Sequence, residues 1–370
     1  MSYRRVRLYQ FRNLVDAEVD VAAPEVFLIG ENGQGKTNFI EAVYLLSFAS
    51  SFRTRKEATL IRTGADEAAL TGWMSGETAT EETVFLRLGQ EKREIRLNGK
   101  VISDRKELIE HTPCIVFCHD DIEFVRGAPD MQRWFFNQTL SLYDSSCIDR
   151  LRTYSRILKL RNAALKGIQE FGDDSGAAKL LDVYDEQLAG AGIVLRDSRL
   201  SAVEAFNQPC ASIFRRISRI EEDLVIRYQA SWKNETDIET VVEHLRSRRA
   251  QDIRFGTTTS GPHRDRFQFR VGKREFTQFA STGQLRLLSL ILRVAQARFY
   301  AERTGRRPVL LLDDVLLELD RERRIRFFAE LPAYDQAFFT FLPDEQFSAY
   351  RKSDTLVYQV EAGTLNGAGR

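Results

Sequence analysis

Cysteine is scarce in this chain, with four in 370 residues. That is too few for the disulfide framework of a small secreted protein, and it points to a reducing, cytoplasmic setting. Long apolar runs are also missing. No stretch approaches the roughly 18 consecutive apolar residues of a membrane helix, so no membrane partner is expected. The opening MSYRRVRLYQ is charged and lacks an apolar core, so no signal peptide is expected. Neither sign of charge dominates: 54 Lys+Arg against 53 Asp+Glu leave a net charge of +1. This excludes a uniformly basic nucleic-acid coat and leaves local basic patches open. There is no internal repeat and no low-complexity tract. Cys114, Cys118, His111 and His119 lie close together but do not read as a zinc site. Ile115-Val116-Phe117 between the cysteines has the character of a buried strand, in which neighbouring side chains point to opposite faces. No second Cys/His pair with zinc spacing follows. The cysteines are expected in the core.

What remains is a composition of 43% hydrophobic and 29% charged residues, that of a soluble globular protein. Its length suits two or three lobes. Residues 1 to 125 read mainly as strands; ETVFLRLGQEKREIRLNGKVI is a strand pair with Asn98-Gly99 as a tight turn. From about residue 130 to Arg249, apolar residues recur at three- and four-residue spacing, as in Leu151, Tyr154, Leu158 and Leu181, Tyr184, Leu188. This predicts two long helices joined by a turn at 171–177, a helical arm inserted in the chain. Short strands return after about 252, where RDRFQFRVGKREF alternates and turns at Gly272. The expected division is 1–130 as a first lobe, 131–250 as the arm and 251–370 as a second lobe that packs with the first.

The chemistry begins at FLIGENGQGKTNFIEAVYLL. An apolar run, Val26 to Ile29, leads into a loop matching G-x-x-x-x-G-K-[ST] at Gly30, Gly35, Lys36 and Thr37, and an amphipathic helix follows. The glycines allow the backbone to curl so that N–H groups of Glu31, Asn32, Gly33, Gln34 and Gly35 converge on phosphates. Lys36 is placed for the β- and γ-phosphates, and the Thr37 hydroxyl for Mg²⁺. The helix contributes its positive end. The other half of a hydrolytic site comes almost 280 residues later, in PVLLLDDVLLELD. Val309 to Leu312 read as a buried strand that delivers Asp313 to Mg²⁺ and Asp314 as the base that orients the attacking water. A third element, FASTGQLRLLSLILRVAQARFYA, puts Ser281, Gly283 and Gln284 at the start of a long helix, a second anion site. One nucleotide does not need two such sites in one subunit. The economical account is that this helix end meets the γ-phosphate held by another copy, so that two chains sandwich two nucleotides.

In order, FRNL (11–14), GENGQGKT (30–37), SFRT (51–54), GPHRD (261–265), STGQLR (281–286) and LLLDDVLLELD (310–320) resemble the bacterial RecF family. Its members are similar to the heads of SMC-type ATPases, with a short arm in place of a long coiled coil. The resemblance implies an α/β fold: an ABC/SMC-type P-loop ATPase head with an inserted helical arm. It also implies a weak, DNA-stimulated ATPase using ATP and Mg²⁺, with Arg12 of FRNL at the nucleotide. An ATP-dependent homodimer on DNA (double-stranded, single-stranded or gapped), action with RecR and RecO, and promotion of RecA loading follow from it too. The family pattern tends to Phe-x-Pro-Glu-Asp where this chain has FCHDDIEFVRGAP, which leaves open a metal-contact role for Asp120 or Asp121. DNA is expected across the joined heads and the arm roots, met at its phosphates by Arg53, Arg215, Arg216, Arg248 and Arg249. Three other functions share parts of the pattern. A transporter's nucleotide-binding subunit is opposed by the lack of a histidine after Asp314 and by the arm; a small-molecule phosphotransferase, by STGQ and the late LLLDD; a chromosome-organising ATPase, by the shortness of the arm.

Overall fold

The computed structural model describes residues 1–75, 80–89, 93–172, 177–316, 319–345 and 347–367. The chain forms two compact units, one of residues 1–121 with 290–370 and one of residues 122–289. The first begins with strands β1 (Tyr3–Tyr9), β2 (Ala17–Asp20) and β3 (Glu25–Ile29), then helix α1 (Lys36–Phe48). Strands β4 (Glu67–Ser75), β5 (Glu81–Gly89), β6 (Arg93–Leu97) and β7 (Lys100–Val101) follow. They form an antiparallel sheet ordered β2-β1-β4-β5-β6-β7, with buried and less buried residues alternating along β4 and β5. Asn98 and Gly99, at φ 51° and 78°, make the expected tight turn, since both central residues of such a hairpin need positive φ. Helix α2 (Lys106–His111) leads to β8 (Cys114–Phe117), fully buried as expected for the segment containing Cys114.

The second unit contains α3 (Glu123–Arg126), α4 (Pro129–Tyr143) and the long pair α5 (Ser146–Phe171) and α6 (Ala177–Ser218). The expected turn between the long helices falls mostly on residues 173–176, outside the described residues. Next come β9 (Leu224–Gln229), α7 (Ile238–Ser247), α8 (Arg249–Phe255), β10 (Arg266–Val271) and β11 (Arg274–Glu275). Two sequence expectations change here. The stretch 131–250 is not helical throughout, because Leu224–Gln229 is a strand. Its partner is β10, antiparallel with Ile226 opposite Phe269, and so remote in sequence that helical periodicity dominated the reading. For the same reason the arm does not end at 250. Strands β10 and β11 close a sheet ordered β11-β10-β9, and residues up to Ser289 group with the helices. Tyr154, Leu188, Trp232, Val241 and Leu245 form the apolar core beneath α5, α6 and α7. Beside it Arg161, fully buried, pairs with Asp185 at 2.6 Å and Asp252 at 2.7 Å.

Helix α9 (Thr282–Thr304) starts among residues of the second unit and ends among those of the first. Strand β12 (Val309–Leu312), α10 (Arg321–Glu330), β13 (Gln336–Phe341), β14 (Leu356–Glu361) and β15 (Thr364–Gly367) then complete the first unit. Its second sheet is ordered β15-β14-β3-β13-β12-β8 and is parallel except for β15. Strands β3, β12 and β13 are buried along their whole length, as the interior strands of a covered parallel sheet must be. The pairing matters for chemistry. Strand β13 lies between β3 and β12, so the carboxyl ends of all three open at one edge, where ligands of open α/β sheets bind.

Candidate nucleotide-binding site

At that edge the loop after β3 frames a cleft of about 190 Å³. Its walls are Glu31 to Gly33 and Gly35 to Asn38 from the loop and α1, with Arg53 and Asp314. The glycines are there for geometric reasons. A Cβ at Gly30 would stand 2.3 Å from the Val360 carbonyl oxygen, and Gly33 and Gly35 sit at φ +78° and +120°. The Lys36 ammonium spans the loop, donating to the carbonyls of Gly30 at 2.6 Å and Glu31 at 3.2 Å. Helix α1 starts at Lys36, so its positive end faces the same loop.

The acidic half is assembled from β12 and β13. Thr37 Oγ1 donates to Asp313 Oδ1 at 2.8 Å, joining the motifs across the sheet. Burial, and then the neighbouring Asp314 charge, push the Asp313 carboxyl up to about 7; Thr37, Arg53 and Lys36 pull the other way. A buried carboxylate beside a threonine hydroxyl is a hard oxygen pair of the kind Mg²⁺ takes, and the cation would offset the burial cost that raises this carboxyl. The phosphates of ATP match the loop's backbone N–H groups and the charges of Lys36 and Arg53. Asp314 holds φ 52°, uncommon for a residue with a Cβ. Thr340 at the end of β13 locks it there: its hydroxyl accepts from Asp314 N at 2.7 Å and donates to Asp314 Oδ1 at 2.8 Å. Residues Leu317 and Glu318 of the acidic motif lie outside the described residues.

Arg12, expected at the nucleotide, instead places two guanidinium nitrogens on the fully buried Glu41 of α1, both at 3.0 Å. Gln34 is not on the cleft wall; its side chain faces residue 362. Arg53 was expected at DNA, yet it lines the cleft and donates to Asn38 at 2.8 Å. Asn38 in turn donates to Asn13 at 2.6 Å, and Asn13 to the Gly33 carbonyl at 3.2 Å. Sequence reasoning missed Asn13, Asn38 and Thr340. The first two sit inside quoted motifs, but nothing near Thr340 marks it. Asp121 forms a buried ion pair with Arg293 of α9 at 2.6 Å, so its carboxylate is already engaged; Asp120 is exposed.

In the second unit, Ser281 and Gln284 cap α9 reciprocally: Ser281 N donates to Gln284 Oε1 at 2.8 Å and Gln284 N to Ser281 Oγ at 3.3 Å. Gly283 has open space where a Cβ would be. Among the arginines expected at DNA, Arg215 pairs with Asp223 at 3.1 Å with both side chains exposed, and Arg216 donates to Ser212 at 2.7 Å. Arg248 donates to Gln251 and Thr259. Arg249 is committed to Asp182 and Asp185, each at 2.6 Å, and through Asp185 to the buried pair with Arg161.

Comparison with known proteins agrees with this geometry. The family model described as RecF/RecN/SMC N terminal domain matches residues 2–365. A DNA replication and repair protein RecF from Treponema pallidum (strain Nichols) is 41% identical over 358 residues, covering 96% of this chain and 98% of that one. The chain belongs to the RecF family. Among solved structures it is similar to the recombination mediator protein RecF with ATP, of the RecFOR pathway. The TM-score there is 0.88 and the identity 26%, over 99% of this chain and 97% of that one. An Smc head bound to the C-terminal winged-helix domain of ScpA shares the fold, with TM-score 0.54 and 14% identity over 100% of this chain and 98% of that one. The ABC/SMC-type head expected from the sequence is therefore the fold of this chain. No helix among the described residues is long and apolar enough to cross a membrane.

Proposed function

We propose that this chain is an ATP-dependent DNA-binding protein of recombinational repair and replication restart that hydrolyses ATP weakly. The observation that carries the reading is the meeting of Lys36, Thr37, Asp313 and Asp314 at one sheet edge, in a chain of the RecF family. Lys36 acts on the β- and γ-phosphates, Thr37 and Asp313 hold Mg²⁺, and Asp314 orients water. Arg53 adds a second positive charge at the cleft. Ser281, Gly283 and Gln284 serve the γ-phosphate bound by a second copy, so ATP drives homodimerisation and hydrolysis releases it. DNA, whether double-stranded, single-stranded or gapped, is met at its phosphates. Arg215 and Arg216 are exposed contacts on α6, and Arg248 is half-buried, while Arg249 has to leave its ion pairs first. RecR is the partner, with RecO and RecA downstream, in the cytoplasm. The transporter reading gains nothing from the structure.

The test is electrophoretic mobility and sedimentation with and without ATP. Dimer and DNA complex should both require ATP. The DNA affinity should fall steeply with salt, hardly change with base order, and lose part of its salt slope in Arg215→Ala/Arg216→Ala. A monomer at saturating ATP, or binding indifferent to salt, would refute the reading.

A further inference from the structure

The last strand pair lies beyond every motif that marks this chain, yet it touches the phosphate loop at several points. Strands β14 and β15 join through Ala362 and Gly363, at φ 47° and 79°, with Glu361 opposite Thr364. The Gly363 N–H donates to the Gln34 carbonyl at 2.9 Å, and the Ala362 N–H to Gln34 Oε1 at 2.7 Å. Val15 N in turn donates to the Gly363 carbonyl at 2.9 Å, tying the FRNL segment to the same turn. The fit is close. A Cβ on Gly363 would stand 2.0 Å from the Asn13 carbonyl oxygen, and one on Gly35 would lie 3.5 Å from Gly363 Cα.

Peptide planarity turns these contacts into a function. In a trans peptide the carbonyl of one residue and the N–H of the next point in opposite directions. Holding the Gln34 carbonyl on the hairpin therefore turns the Gly35 N–H the other way, toward the cleft that Gly35 lines. Asn13 does the same one peptide earlier: by holding the Gly33 carbonyl at 3.2 Å it directs the Gln34 N–H. Gly33 and Gly35 adopt φ +78° and +120° without steric cost, but glycines lose the most backbone freedom on ordering, so contacts from outside the loop are what hold it in one conformation. We propose that the β14–β15 turn, through Ala362 and Gly363 acting on Gln34, is the positioning element of the phosphate loop. It sets affinity for the triphosphate without touching a phosphate. The proposal rests on the reading of residues 30–37 as a nucleotide loop.

The experiment is equilibrium ATP binding and steady-state turnover in Gln34→Leu, Gly363→Ala and the double variant, with the parent and Lys36→Ala alongside. Thermal unfolding is recorded without nucleotide. Gln34→Leu keeps the loop backbone but loses one acceptor, so ATP affinity should fall about five- to tenfold with an unchanged unfolding midpoint. KM should rise by the same factor while kcat stays near the parent value. Gly363→Ala should lose more, and the double variant no more than Gly363→Ala alone, because displacing the turn already takes away the Ala362 N–H that Gln34 Oε1 accepts from. Parental ATP affinity in Gln34→Leu, or fully additive losses, would overturn the proposal. So would an affinity loss in Gln34→Leu matched by a lower unfolding midpoint of that variant. If Gly363→Ala does not fold, Gln34→Leu alone decides. A parent that binds no ATP would defeat the nucleotide reading instead, which the Lys36→Ala control separates from failure of the brace.

Discussion

Lys36 and Thr340 illustrate two ways a side chain serves the cleft, by charge and by restraint. Lys36→Ala removes the ammonium that spans the loop and is proposed to meet the phosphates. ATP affinity should drop roughly 10- to 100-fold, the scale of a hydrogen bond to a charged group, as read by equilibrium binding. An affinity equal to the parent's would remove Lys36 from the site. Thr340 touches Asp314 alone in the acidic pair, with one hydroxyl as both acceptor and donor. Thr340→Val keeps the volume and frees Asp314 to relax from φ 52°. We expect kcat to fall about fivefold to tenfold with KM unchanged, and Asp314→Asn to cost at least 100-fold. Equal turnover in Thr340→Val and the parent, in a steady-state assay, would show that the restraint is idle.

At the scale of elements, the segment from Gly256 to Asp265 is held from several sides within its unit. His263 Nε2 donates to the Thr258 carbonyl at 3.0 Å, which leaves Nδ1 to accept from the Tyr154 hydroxyl at 2.7 Å. Burial, with Arg264 and Arg133 nearby, depresses the imidazole from 6.5 to about 4. Between those values the unfolded chain binds a proton that the folded one refuses, so stability rises with pH through this window and is lost as pH falls through it. His263→Gln should therefore flatten the acid limb of an unfolding-midpoint curve, removing on the order of 3 kcal/mol of pH dependence; an unchanged limb would place the acid sensitivity elsewhere. This segment also shows what a sequence can and cannot disclose. GPHRD stood out as a motif, but its partners Tyr154 and Arg199 lie on helices far upstream. The elements of the nucleotide loop were legible because strand, glycines, lysine and helix are contiguous. Strand β9 was not, since its six residues gain their sheet only from β10. Arg53 and Arg249 read alike as basic residues, and only the fold separates a cleft wall from a partner of buried aspartates. The loop signal concerns the Gln34 backbone N–H alone and says nothing of its side chain, which turns to residue 362.

For the whole molecule, the proposed shared site makes a prediction that no single chain can satisfy. Ser281→Arg puts a bulky cation at the capped end of α9, where the hydroxyl is proposed to meet a second copy's nucleotide. Monomer ATP binding should survive while dimerisation and turnover fail. Mixed with Lys36→Ala, it should recover part of the activity, because one of the two composite sites then carries neither lesion. Two folded variants that remain inactive at every mixing ratio would exclude a site composed in trans. The sheet order has a separate consequence, which concerns how the chain is made. Strand β3 has only β13 and β14 as neighbours, and both come near the other end of the sequence. On the ribosome β3 must wait for on the order of 300 residues, roughly 15–60 s at about 5–20 residues per second. Residues 122–289 can meanwhile form their own contacts. Throughout that interval an apolar strand with two unpaired edges waits for its partners, so aggregation during synthesis is expected to start from this unit rather than from residues 122–289.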